Sequence, residues 1–92
     1  MGDTYSKREL IDIIAKANAA TYAKTENNTK TLSDQEIAVV VTRILGRARK
    51  RIDPCTKEEM LDMVEYDMMR YGLYEVASTF IRMRVKGELE ND

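Results

Sequence analysis

The sequence predicts an all-α fold, a single four-helix bundle, and three observations carry this prediction. Three Ser or Thr residues are each followed three positions later by Glu, and each pair opens a stretch with apolar residues at helical spacing. Only one Pro and four Gly are available to interrupt helices. A chain of 92 residues with 43 % hydrophobic residues suits one domain, residues 1–92, with one core.

The first helix is predicted over about residues 7–22. Ser6 and Glu9 have the spacing of a capping box, in which the hydroxyl and the carboxylate each accept a hydrogen bond from a free backbone N–H. The residues expected on its buried face are Leu10, Ile11, Ile14 and Ala17. Residues 23–32 are mostly polar, and we expect them to form a mobile loop.

The second helix is predicted over about residues 34–51, and Ser33 with Glu36 forms its capping box. Its β-branched residues do not indicate a strand, because the apolar positions repeat at helical spacing. These positions are Ile37, Val40, Val41, Ile44, Leu45 and Ala48. Gly46 is unfavourable inside a helix, so we expect another helix to approach closely there. Pro54 pushes the residue before it out of the helical region and ends the helix.

The third helix is predicted over about residues 57–71, from a capping box of Thr56 and Glu59 to a left-handed Gly72. The fourth is predicted over about 73–86 and ends at Gly87. The buried faces are expected to contain Met60, Leu61, Val64 and Met68 in helix three, and Leu73, Val76, Ala77, Phe80 and Ile81 in helix four. The acidic tail is expected to fray.

The composition argues against an enzyme and against a metal site. There is no His, the single Cys cannot form a zinc site, and no Gly-rich phosphate loop is present. The lone Cys55 excludes an intramolecular disulfide, and no signal peptide or membrane-spanning run is present, so a cytoplasmic location is expected. Cys55 precedes a helix, where it is either a reactive thiol or an ordinary loop residue.

Two charged clusters each allow two interpretations. An acidic group on helix three is expected to be mostly exposed: Glu58, Glu59, Asp62, Glu65 and Asp67. A basic group contains Arg43, Arg47, Arg49, Lys50 and Arg51, of which Arg43, Arg47 and Arg51 repeat every fourth residue. This stripe either binds nucleic acid or complements the dipole at the end of its helix.

Three segments together resemble the ATP-cone, the nucleotide-sensing domain of ribonucleotide reductases. DPCTKEEMLDMVE, from Asp53 to Glu65, is similar to the entry and body of the family's third helix. MMRYGLYEVASTFIRMR, from Met68 to Arg84, continues the likeness, although Phe80 and Met83 stand where Tyr is usual. IAKAN, from residue 14, is similar to the family's first helix, and the anaerobic reductase version is the most similar.

The resemblance implies an allosteric regulatory module whose ligand is ATP or dATP, with no other cofactor. The family's N-terminal β-hairpin, which grips the nucleotide, has no counterpart ahead of Tyr5, and Glu9 stands where the family has Lys. We therefore expect nucleotide binding to be weak or lost. The candidate nucleotide-binding residues are Lys7, Arg8, Arg84 and Lys86.

Two other functions remain open. A degenerate cone without its hairpin would expose apolar helix surface and could act as a dimerising bundle, or could bind a reductase subunit. A small nucleic-acid-binding protein using the basic stripe is the least favoured alternative. Met1 and the charged tail lead us to expect a free-standing protein.

Overall fold

The computed structural model describes residues 4–24 and 31–90. This part of the chain contains four α-helices and no strand, which confirms the all-α bundle predicted from the sequence. The helices are α1 (Lys7–Lys24), α2 (Asp34–Arg49), α3 (Lys57–Arg70) and α4 (Tyr74–Lys86).

All three predicted capping boxes are formed at the helix starts. The backbone N–H of Glu9 donates to the Ser6 hydroxyl over 3.1 Å, and the N–H of Ser6 donates to the Glu9 carboxylate over 2.8 Å. The same reciprocal pairs open α2 at Ser33 and α3 at Thr56. Each box satisfies two backbone donors that a helix start leaves free, so the three starts are fixed locally by the sequence.

The predicted glycine stops are confirmed in α3 and α4. Gly72 has φ +76° and Gly87 has φ +73°, a left-handed conformation that costs other residues strain. In both turns the next residue donates back to a carbonyl five positions earlier, as in the Schellman motif: Leu73 to Met68 and Glu88 to Met83, each over 2.8 Å. Helix α2 ends at Arg49, before the turn that leads to Pro54.

Each helix packs against two others, in the closed order α1, α2, α3, α4 and back to α1. The core between them is aliphatic and rich in Met, with Phe80 fully buried. Most predicted core positions are buried, and Ile11, Leu45 and Ala48 pack at its edge. Ile81, predicted to be buried, is 40 % exposed, while Ile13 is buried although it was not predicted to be.

The expected close approach at Gly46 is wrong. A Cβ built on Gly46 would meet no atom within 4 Å, so no neighbouring helix requires glycine at this position. The space beside it is open and belongs to a surface hollow described below.

The expected fraying of the tail is wrong for residues 88–90. Leu89 is 5 % exposed and belongs to the core. The Tyr5 hydroxyl donates a hydrogen bond to the Glu90 carboxylate, and the Lys16 ammonium donates to the Glu88 carbonyl over 3.1 Å. Burial first, and then the hydrogen bond to Glu90, raises the pKa of Tyr5. Residues 88–90 are therefore part of the packed structure, and residues 91–92 lie outside the described part of the chain.

The connection between α1 and α2 was predicted to be a mobile loop over 23–32. Residues 23–24 belong to α1, and residues 25–30 lie outside the described part of the chain. Leu32 is buried, and Asn18 holds it by two hydrogen bonds of 2.8 Å, donating to the Leu32 carbonyl and accepting from its N–H. The chain is thus anchored just before α2.

Candidate binding surfaces on α2, α3 and α4

An ion pair with a buried carboxylate and a partly exposed guanidinium joins α2 to α3. One guanidinium nitrogen of Arg47 lies 3.1 Å from both carboxylate oxygens of Asp67, which is 0 % exposed. The expectation that Asp67 belongs to an exposed acidic face is therefore wrong. Its position lies one step from the apolar stripe of α3, where it turns toward α2 and meets a cation. A buried carboxylate needs such a partner.

The other two arginines of the basic stripe also have partners within the bundle. Arg51 forms an ion pair of 3.0 Å with Glu59, and its guanidinium lies 3.6 Å from the sulfur of the buried Cys55. Arg43 donates to the hydroxyl of Tyr71 and lies 5.5 Å from the centre of its ring. Arg51 lies just after the end of α2 and Tyr71 just after the end of α3, so these contacts join the second half of α2 and the turn after it to both ends of α3.

Glu59 shows how one side chain serves both a helix start and an ion pair. Its carboxylate accepts from the Thr56 N–H over 2.9 Å and also meets Arg51. The backbone hydrogen bond first, and then the hydrogen bond from Arg51, lower the pKa of Glu59. Glu9 accepts the corresponding hydrogen bond from the Ser6 N–H, which likewise lowers its pKa.

A basic hollow lies on the surface between α2 and the end of α3, with a volume of about 490 Å³. We use "basic hollow" for the surface lined by Arg43, Gly46, Arg47, Lys50, Arg70 and Tyr71. Four of its six residues are cations, and none carries a carboxylate. Arg43 and Arg70 both lie close to the Tyr71 ring, 5.5 and 6.0 Å from its centre.

A second depression adjoins the basic hollow. This open groove has a volume of about 740 Å³ and is mainly apolar in its lining. We use "apolar groove" for the surface lined by Leu32, Ser33, Gln35, Glu36, Val39, Val40, Arg43, Tyr71 and Leu73. Arg43 and Tyr71 line both depressions, so the two adjoin along these side chains.

The candidate nucleotide-binding residues lie at the ends of α1 and α4. Lys7 and Arg8 are exposed in the first turn of α1, and Lys86 is exposed in the last turn of α4. Arg84 instead turns toward α3. Its guanidinium donates to three acceptors there: Asp62 over 2.8 Å, Glu65 over 2.7 Å and the Glu58 carbonyl over 3.2 Å. A phosphate at Arg84 would have to compete with two carboxylates.

An apolar stripe runs along the outer face of α4. Tyr74, Ile81 and Val85 are 62 %, 40 % and 81 % exposed. Together with the exposed Ser78, they are spaced four, three and four residues apart, so they share one side of the helix. We call these four residues the α4 stripe. Exposed apolar residues at this regular spacing are typical of a helix that pairs with another helix.

Comparison with known proteins gives no family model, no curated protein and no solved structure that matches this chain. Within residues 4–24 and 31–90, no helix is long and apolar enough to cross a membrane. The same residues contain no group of three or more metal-ligating side chains placed to hold an ion.

Proposed function

We propose that this chain is a non-catalytic regulatory module of the ATP-cone type that acts by self-association, with weak or lost ATP and dATP binding. The α4 stripe is the observation that carries the proposal, because its three exposed apolar residues share one side of a single helix. A reductase subunit is the alternative partner for the same seam. We place the protein in the cytoplasm, where a lone cysteine stays reduced.

Charge and spacing favour an antiparallel pair of α4 helices from two copies. In that register, Tyr74 packs against the partner's Val85, and Ser78 packs against the partner's Ile81. Glu75 then lies beside the partner's Arg82, and the two-fold axis repeats this contact. In a parallel pair, no residue of α4 places an opposite charge beside Glu75. The antiparallel register is therefore the complementary one.

The size of the seam predicts a weak dimer. A helix of 13 residues is about 20 Å long, so an α4 pair covers less than the about 800 Å² per partner of a standard interface. Arg82 must also give up its hydrogen bond of 3.4 Å to Ser78 to reach a partner's carboxylate. We expect a dissociation constant of roughly 0.01–1 mM.

Sedimentation equilibrium from about 10 μM to 1 mM tests this dimer, because the range spans the expected dissociation constant. Val85→Glu should give a monomer throughout. Ile52→Glu is the matched control, since it adds the same charge at a residue fully exposed outside the stripe. A strictly monomeric wild-type protein would overturn the self-association proposal, and equal losses in both variants would overturn the assignment of the interface to the α4 stripe.

A charge exchange tests the antiparallel register itself. Glu75→Arg and Arg82→Glu should each weaken the dimer about ten-fold by placing like charges together, and the double variant should recover most of the loss. Failure of the double variant to recover would exclude this register.

Weak nucleotide binding is supported by the three contacts of Arg84 and by the use of Glu9 in a capping box. A carboxylate at the start of α1 opposes a polyphosphate there. Calorimetry with ATP and dATP should give dissociation constants of about 1 mM or weaker, or no heat at all. Low-micromolar binding that is lost in Lys7→Gln/Arg8→Gln would contradict this part of the proposal.

Nucleic-acid binding by the basic stripe is less well supported. Arg47 and Arg51 are each paired with a carboxylate, so a phosphate backbone would have to displace those partners. Salt-dependent retention of DNA or RNA that falls when the three arginines are changed to Ala would favour this alternative.

A further inference from the structure

Gly46 has no structural role inside the bundle that explains it. It lies within α2, where glycine costs about 1 kcal/mol relative to alanine. Its φ is not positive, and an added Cβ would meet no atom within 4 Å. Neither backbone conformation nor packing within the chain therefore requires glycine at this position. What a missing Cβ does provide is open space above the backbone of α2.

That space is part of the basic hollow, whose lining combines four cations with no carboxylate. Crowding like charges raises their mutual repulsion, and an anion placed among them relieves it. The Arg47 partner, Asp67, lies buried behind the lining and leaves the outer side of the guanidinium, whose side chain is 40 % exposed, facing solvent. The charge distribution thus favours an anionic ligand.

Three of the four cations of the basic hollow, all arginines, have contacts within the chain that position them before any ligand arrives. Asp67 holds Arg47 from the core side, and the Tyr71 ring is close to both Arg43 and Arg70. Ordering these long side chains in advance lowers the entropy that binding would otherwise cost. Arginine donors arranged in this way suit the several oxygens of a phosphate group.

The apolar groove extends the site in one direction. Val39 is half exposed in it, and Tyr71 and Arg43 form the boundary with the basic hollow. A ligand that reaches from one depression to the other therefore needs a phosphate at one end and an apolar or aromatic body at the other. The groove volume of about 740 Å³ is within the range of small-molecule sites.

We propose that the basic hollow and the apolar groove together bind a small phosphate ester with an apolar or aromatic body. The phosphate lies over Gly46 among Arg43, Lys50 and Arg70, and the body lies against Tyr71 in the groove. This site is separate from the α4 stripe and does not depend on self-association. It is also separate from the α1 and α4 ends that contain the candidate nucleotide-binding residues.

Amide NMR titration of the full chain tests the site with three probes: inorganic phosphate, phenyl phosphate and AMP. The Gly46 amide and its α2 neighbours should shift with each probe. Phenyl phosphate and AMP should bind about ten-fold more tightly than inorganic phosphate, because they also use the groove. Equal affinity for all three would overturn the two-part site, and no shift at Gly46 up to about 20 mM would overturn the anion site.

Two substitutions with matched controls locate the binding. Gly46→Leu fills the basic hollow and should weaken binding at least about ten-fold, whereas Ala19→Leu, at an exposed position of α1, should not. Lys50→Gln/Arg70→Gln should weaken binding similarly without disturbing a carboxylate pair, whereas Lys7→Gln/Arg8→Gln should leave it unchanged. The reverse pattern would place the anion at α1 and refute the proposal.

The same variants separate this site from the other interpretations. The monomeric Val85→Glu protein should bind phenyl phosphate as the wild type does, so failure of the dimer proposal would not affect this result. Binding of a short DNA or RNA strand through Lys50 and Arg70, at least ten-fold more tightly than phenyl phosphate, would identify a nucleic-acid surface and overturn the small-ligand assignment.

Discussion

Replacement of Arg47 by Met tests the energetic asymmetry of its pair with Asp67. Breaking a buried pair by removing one partner typically costs about 3–5 kcal/mol, because the other charge is left buried. Asp67 is 0 % exposed, but the Arg47 side chain is 40 % exposed, so water can partly replace the guanidinium. We therefore expect the free energy of unfolding to fall by about 2 kcal/mol in Arg47→Met.

Truncation of Asp67 should lower the free energy of unfolding by less than truncation of Arg47 does. Asp67→Ala removes the buried charge and leaves Arg47 free to be hydrated from the solvent side, so we expect a loss of about 1 kcal/mol, mainly from the small cavity. In the Asp67→Ala background, Arg47→Met should then be nearly neutral. A coupling energy of about 1.5–2 kcal/mol follows from this double-mutant cycle.

Urea and thermal unfolding measure these differences, and about 2 kcal/mol corresponds to a fall in Tm of about 8–16 °C for a domain of this size. Arg51→Met is the control, because its pair with Glu59 has both side chains 39 % exposed and should contribute at most about 1 kcal/mol. If Arg47→Met costs no more than Arg51→Met, or if Asp67→Ala costs more than Arg47→Met, the asymmetry argument is wrong.

Three further predictions concern other elements. Gly46→Ala should stabilise the fold by about 0.5–1 kcal/mol in urea unfolding, because nothing opposes its Cβ; destabilisation would show an unseen close contact. Leu89→Ala should lower the free energy of unfolding by about 2 kcal/mol, since Leu89 is 5 % exposed. A loss near zero would indicate that Leu89 is not packed in the core. In Glu59→Gln, the free energy of unfolding should fall less steeply than in the wild type as the pH is lowered into the acid range. Because Thr56 and Arg51 lower the folded pKa of Glu59, its stabilisation is present above the ordinary value of 4.5 and is lost as the pH falls through the folded pKa. An unchanged acid limb in that variant would contradict this assignment.

The helix starts and stops were predictable because their determinants are local. A capping box needs two side chains three residues apart, and a glycine stop needs one residue that tolerates positive φ. Ser33, Thr56, Gly72 and Gly87 therefore act as the sequence indicated, whatever the rest of the chain does.

The position of Asp67 was not predictable, because it depends on which neighbour a helix faces. Helical spacing places Asp67 at the border of the apolar stripe, and only the approach of α2 decides that this border is buried. The missed burial of Leu89 has a similar cause, since Leu89 lies beyond the end of α4 and lines a surface pocket with Tyr5 and Ile13, which are far from it in the sequence. The prediction for Ile81 is wrong in the opposite direction, because Ile81 was expected to be buried and is 40 % exposed. Helix α4 has more apolar residues than the core covers.

The sequence singles out four of the six residues of the basic hollow, namely Gly46 and the basic residues Arg43, Arg47 and Lys50, but not the other two. Gly46 is noticeable in the sequence as a glycine inside a strongly periodic helix. The reason assigned to it, a close helix contact, was wrong. Arg70 and Tyr71 come from α3 and its end, and no spacing in the sequence places them beside Gly46 before the bundle is assembled.

The hydrogen bond between Tyr5 and Glu90 brings the first and last described turns of the chain together. A unit whose chain enters and leaves at the same point can be inserted into a surface loop of another protein with little distortion of either. It can also be closed into a ring by a short peptide, and new ends can then be cut within residues 25–30, after α1 and before the Asn18 clamp on Leu32. Such a circular permutant would place Leu32 near the beginning of the new sequence and Asn18, which makes two hydrogen bonds to it, near the end. Its folding rate would show whether these two hydrogen bonds form early or only after the four helices have met.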